Sequence, residues 1–128
     1  MKMKDKLTAE YEGVEHIMLK KISKIHNEAM LLVDKADLAK LKNENHLEFL
    51  REAYRKEKQA AYMLKDSEME PSRSILLRSA ASLGYEIGEY NESEKLVCLA
   101  LSGNPPKNIA EELKNLYEDI YLRRERWI

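Results

Sequence analysis

Three histidines, one cysteine and a pair of arginines set among apolar residues are the side chains here with the most chemistry to offer. Glu12 and His16 stand one helical turn apart, and Glu15 adjoins His16. A di-iron helical bundle uses Glu-x-x-His pairs from two helices with further glutamates from two others. In this chain the Glu–His step is four residues rather than three, and no second copy exists. His26 and His46 also lack neighbours at ligand spacing, so all three histidines read as ordinary surface residues and no metal or other cofactor is expected. Cys98 lies in Leu96-Val97-Cys98-Leu99-Ala100, where a thiol reads as a small core residue rather than a reactive thiolate. No serine stands in a Gly-x-Ser-x-Gly turn, and no Gly-rich phosphate loop occurs. These residues give no reason to expect an enzyme.

Arg73 and Arg78 are different. Arg78 interrupts the run Ile75-Leu76-Leu77-Arg78-Ser79-Ala80-Ala81, so its stem is expected to lie against other helices. Its guanidinium has two readings: a receptor for a guest carboxylate, or half of an internal ion pair, Arg78 with Glu94 or Arg73 with Glu70.

The elements that must carry these residues are all helical. The chain has 128 residues, enough for one domain, with 44% hydrophobic and 35% charged residues but only four Gly and three Pro. From Thr8, the apolar positions Tyr11, Val14, Met18, Ile22, Ile25, Ala29, Leu32, Ala36 and Ala39 recur at helical steps. Gly13 is expected to loosen the start of this helix, and Asp34 to Asp37 to mark a point where it breaks. After Asn43-Glu44-Asn45, a second stripe follows in Leu47, Leu50, Tyr54, Ala61 and Leu64, with Ala53 and Ala60 beside it. Glu57 and Lys58 interrupt that stripe and place its middle near an edge of the core.

A third helix is expected from Pro71 to Ile87, a fourth from Tyr90 with Leu96, Val97, Ala100 and Leu101 on one face, and a fifth from Asn108 with Ile109, Leu113, Leu116, Tyr117 and Ile120. Gly88 and the run Ser102-Gly103-Asn104-Pro105-Pro106 separate them. Small residues in the third helix, Ala80, Ala81 and Gly84, mark it as the centre of the core. The fold class is all-α, with about five helices: an antiparallel hairpin over 8–66, a helix pair over 71–107 and a capping helix over 108–124.

The stretch from Ser74 to Lys107 resembles a tetratricopeptide repeat, a helix–turn–helix unit of about 34 residues. Gly88 and Tyr90 fall on its turn Gly and packing Tyr, Ala100-Leu101 on its Ala-Leu, and Pro105 on its terminal Pro. Its first half departs, with Leu77 for Trp, Ala80-Ala81 for Leu-Gly, Gly84 for Tyr and Ser93 for Ala. The C-terminal half also resembles a group of bacterial proteins that carries no known activity. The resemblance implies that the first helix of the pair lines a ligand groove, with Ile75, Arg78, Ser82, Tyr85 and Glu86 facing a partner.

Charge narrows the partners. Twenty-two basic and twenty-three acidic residues leave a net charge of −1, which disfavours nucleic acid. The tail Arg123-Arg124-Glu125-Arg126-Trp127-Ile128 has two readings, a contact with nucleic acid or an anionic surface, or cations at a helix C-terminus that frays. No apolar run reaches the ~18 residues of a membrane span, and the N-terminus lacks a signal-peptide core. The expected protein is cytoplasmic and non-catalytic, an interaction or scaffold module for a protein or peptide with an acidic or carboxylate group. Excess apolar surface on the first helix points to a homodimer as one form of this. The alternatives are a nucleic-acid-associated regulator that uses the tail and, behind it, a metal-dependent helical-bundle enzyme.

Overall fold

A computed structural model describes the backbone of residues 2–125 and the side chains of residues 15–124. It is all-helical: α1 (Lys2–Leu41), α2 (Leu47–Met63), α3 (Ser72–Glu86), α4 (Tyr90–Leu101) and α5 (Lys107–Glu125). Each helix packs against its neighbours in sequence, and α3 also packs against α5. With α2, α4 and α5 around it, α3 is the central element, as its small residues imply.

The first helix does not break at Asp34 to Asp37. It runs unbroken for 40 residues, about 60 Å at 1.5 Å per residue, whereas the 17 residues of α2 span only about 25 Å. The two aspartates are exposed and leave the backbone ladder intact. Ile22, Ile25, Ala29, Leu32, Ala36 and Ala39 form the buried stripe, while Met18 stays 37% exposed. Tyr11 and Val14 lie outside the described side chains, and Arg126, Trp127 and Ile128 outside the described residues.

Two helices stop in the same way. Asn43 (φ 56°) and Gly88 (φ 84°) adopt the left-handed conformation just past α1 and α3. The next amide reaches back five residues, Glu44 N–H to the Ala39 carbonyl and Glu89 N–H to the Gly84 carbonyl, both at 2.8 Å. This closure satisfies carbonyls that a helix end leaves open, and Asn and Gly are the residues that tolerate its backbone best. A stop without Gly or Pro after α1 is therefore as sharp as the one after α3.

Close approach of α2 to α3 depends on Gly84. A Cβ at that position would stand 3.0 Å from Cε1 of Tyr54 and 3.6 Å from Cβ of Ser93. The absent side chain makes room for the Tyr54 ring. Ser93, also buried, donates from Oγ to the Ala81 carbonyl at 2.6 Å.

Tyr54 is 8% exposed, and its hydroxyl has no hydrogen-bond partner among the described residues. Burial pushes its pKa above the ordinary value of 10.0, against the pull of the Lys58 ammonium. An unmet buried hydroxyl destabilises, so Tyr54→Phe is expected to raise the unfolding free energy by about 1 kcal/mol, read from the urea midpoint at unchanged slope. The unfolded chain loses the phenol proton at lower pH than the folded one. The parent's stability therefore falls as pH climbs through that interval, and this part of the fall is absent in Tyr54→Phe.

Candidate binding face

Buried polar groups, rather than exposed ones, set the geometry of the face that the sequence singles out. Glu57 is 0% exposed, at the position of the α2 stripe between Tyr54 and Ala61. This corrects the expectation of a core edge there, since the carboxylate is buried and met from two other helices. His26 Nδ1 of α1 donates to it, 2.8 Å from Oε1 and 2.9 Å from Oε2, and Ser79 Oγ of α3 donates at 2.6 Å. His26 is accordingly no ordinary surface histidine, with its side chain only 33% exposed. A buried carboxylate is costly unless its lone pairs are met, and here one group joins three helices.

The tie spans a gap. Among the described residues α1 and α3 both pack on α2, and no Cα of α1 comes within 8 Å of one of α3. Between them opens a cavity of about 180 Å³. Leu19, Ile22 and His26 wall it from α1, Ile75 and Leu76 from α3, and Leu64 from the end of α2. Ser23 and Ser72, both exposed, also border it.

The five expected site residues spread over one side of α3. Ile75, Ser79, Ser82 and Glu86 follow one another at steps of four, three and four, so they share a helix face. Ile75 is half-buried in the cavity wall, Ser82 is half-buried and Glu86 is exposed. Arg78 and Tyr85 lie on the flank toward α5 and are already engaged. Arg78 Nη1 donates to Glu112 at 2.6 Å, with side-chain exposures of 29% and 55%. The internal partner of Arg78 is thus Glu112, not Glu94, whose carboxylate accepts from Arg124. Tyr85 stacks edge-on against Tyr90 at 5.5 Å between ring centres, and its hydroxyl accepts from Arg123 Nε at 3.2 Å. A guest carboxylate at Arg78 would have to share or displace Glu112.

Arg73 proves to be a structural residue. It is 5% exposed and donates to backbone carbonyls at two helix ends: Lys65 O at 2.8 Å, Leu99 O at 2.8 Å and Ala100 O at 3.4 Å. Glu70, the partner expected from sequence, stands 3.9 Å away, and its carboxylate also accepts from Ser74 Oγ. Nothing in the spacing reveals this role, because the accepting carbonyls are 26 and 27 residues on.

Other expected sites disperse. Cys98 is exposed rather than buried, because it lies one residue past the inward Leu96-Val97 face of α4. No group of three or more His, Cys, Asp and Glu side chains able to hold a metal gathers among the described residues. Of the tail arginines, Arg123 is tied to Tyr85, and Arg124 to Glu94 and Asn91. No helix among the described residues is long and apolar enough to cross a membrane.

Comparison with protein-family models, with curated proteins and with solved structures finds no match to this chain.

Proposed function

We propose that this protein is a non-catalytic interaction module that receives a segment of another protein on the side of α3 bordered by α1 and α5. One observation carries this reading: a buried carboxylate on α2 ties both α1 and α3, and a partly apolar cavity stays open between those two helices. A helix pair needing only its own stability would close that gap with side chains, since interiors are close-packed. Ile75 walls the cavity, and Ser82 and Glu86 follow on the same face of α3 about two and three turns further on. The fixed placement of α1 and α3 supplies a site formed before the guest arrives. The tetratricopeptide-like spacing of Ser74 to Lys107 agrees with a groove on this side. A photo-cross-linking residue placed at Ser82, in the cells from which the chain comes, is expected to give discrete protein adducts. The same residue at the exposed Lys95 of α4 should not. Identical adduct patterns from the two positions, or none from Ser82, would remove this reading.

A second reading, self-association, rests on a separate observation. Ile17, Leu31, Leu38 and Leu41 are 69%, 61%, 55% and 82% exposed on α1. Ile17, Leu31 and Leu38 recur at multiples of seven, the spacing of a helix–helix contact, away from the buried stripe. The expected result is a mass that rises toward the dimer with concentration in light scattering. Leu31→Glu with Leu38→Glu should hold the protein monomeric at unchanged helicity. A parent that stays monomeric at all concentrations would exclude this form.

A further inference from the structure

We infer that the cavity between α1 and α3 is an anchor pocket for one large apolar side chain carried by an acidic peptide segment of a partner protein. The assignment rests on the protein-binding reading above and names the chemistry of the guest.

Size comes first. A cavity of about 180 Å³ compares with the roughly 150 Å³ that accommodates benzene in an apolar protein interior. One aromatic or branched aliphatic side chain fills it, and a folded domain or a long chain does not. Its inner wall is apolar, formed by Leu64, Ile22 and Leu76, which are 1%, 4% and 6% exposed. An apolar side chain seated there removes its own surface from water, which is the main source of the gain.

Rigidity comes second. His26 forms part of the wall, and its Nδ1 is fixed by the wholly buried Glu57, which Ser79 holds in turn. The ring is therefore fixed in orientation by a carboxylate, while its side chain stays 33% exposed. Glu57 acts as a positioning residue: it touches no guest but keeps α1 and α3 at the separation that leaves the space.

Charge identifies the segment that carries the anchor. Between His16 and Asn27, α1 carries Lys20, Lys21 and Lys24 and no acidic residue. All three lysines are exposed, and none has an ion pair among the described residues. Lys20 and Lys24 line a shallow depression that shares Leu19 and Ser23 with the cavity, so they stand on the face of α1 next to the one that walls it. The nearest glutamate on that depression, Glu28, is already paired with Lys56 of α2 at 3.0 Å. A chain with net charge −1 thus presents a local basic strip next to an apolar hole. Acidic residues flanking an apolar anchor complement both features, the charges steering the approach and the anchor supplying retention.

The test uses the full chain labelled with nitrogen-15 and the blocked pentapeptide Glu-Glu-Phe-Glu-Glu, followed by amide chemical shifts up to about 5 mM peptide. Saturable shifts are expected at Leu19, Ser23, His26 and Ile75. Binding should weaken at least about fivefold when Ala replaces the Phe, or when Lys replaces the four Glu. Ser23→Trp places an indole at the mouth and should abolish the response, and Ser72→Trp does the same from α3 should the first variant fail to fold. Lys20→Glu with Lys24→Glu should reverse the preference in favour of the lysine peptide. The assignment is overturned by an absence of saturable shifts at these residues, by equal binding of both peptides, or by binding indifferent to a folded plugged variant. Cross-linking from Ser82 that survives a plugged cavity would also overturn it, while leaving the broader protein-binding reading in place.

Discussion

Arg73→Ala is expected to lower the unfolding free energy by about 4 kcal/mol, the largest effect of any single substitution considered. The guanidinium is 5% exposed and meets the carbonyls of Lys65, Leu99 and Ala100. These lie at or just beyond the C-terminal ends of α2 and α4, where the dipole favours a cation. Leu99 O also accepts from Ser102 Oγ, and Ala100 O from the Gly103 amide. Alanine removes every guanidinium donor at once and opens a void between the two ends. Lysine restores a charge but not a planar fork reaching several acceptors, so Arg73→Lys should recover less than half of the loss. Gly103 offers an independent check, because a Cβ there would lie 2.3 Å from Arg73 Nη1. Gly103→Ala should therefore destabilise the parent by displacing the guanidinium, yet cost little once Arg73 is alanine. Urea unfolding of the four proteins closes that cycle, and additive losses would show that the two residues act separately.

Glu57→Ala is the second large effect, a loss of about 3 kcal/mol. The substitution strands His26 and Ser79, which both lose their acceptor, and leaves a hole where the glutamate stem packed. His26→Ala attacks the same tie from the other side and leaves a buried carboxylate with the Ser79 hydroxyl as its remaining partner. That variant should lose nearly as much, tempered by the 33% exposure of the His26 side chain, which lets water reach the vacancy. Replacing both residues with leucine should recover part of the stability of either single variant, since a buried pair exchanged for apolar residues is often tolerated. It should not recover the cavity, which the leucines are free to fill. Stability and peptide binding would then separate, with the double variant folded but deaf to the acidic pentapeptide.

The fold class was legible because the apolar steps of α1 from Ile22 to Ala39 are regular and each of those side chains is buried. Gly88 was legible for a similar reason, since a left-handed residue after a helix has few substitutes. Glu57 was misread on type rather than position: it continues the series Leu50, Tyr54, Ala61, Leu64 at steps of four, three, four and three. A charged residue in phase with a buried stripe is a signal of a paired interior group, and the phase should have outweighed the charge. The partners were not legible, because His26 and Ser79 are 31 and 22 residues away and no local rule links them. Cys98 was misread by averaging over its apolar neighbours, although successive helical residues point about 100° apart. Of the residues proposed for the site, the common face of Ile75, Ser82 and Glu86 follows from their helical spacing. The engagement of Arg78 and Tyr85 by α5 and the opening toward α1 have no such local signal, as the first depends on how α5 lies on α3 and the second on how α1 and α3 lie on α2.

The order in which the helices pack also governs how the chain can be made. Nearly all of its helix contacts join sequence neighbours, with α3 and α5 the exception. As the polypeptide leaves the ribosome, α1 and α2 can pair before anything downstream exists, and α3 can settle on α2 soon after, bringing Ser79 to Glu57. Every residue that borders the opening beside His26 precedes α5 in the chain. Glu112 and Arg123 belong to the last helix. A chain in which α5 is not yet made therefore leaves Arg78 without Glu112 and the Tyr85 hydroxyl without Arg123, while Tyr90 already stacks on the Tyr85 ring.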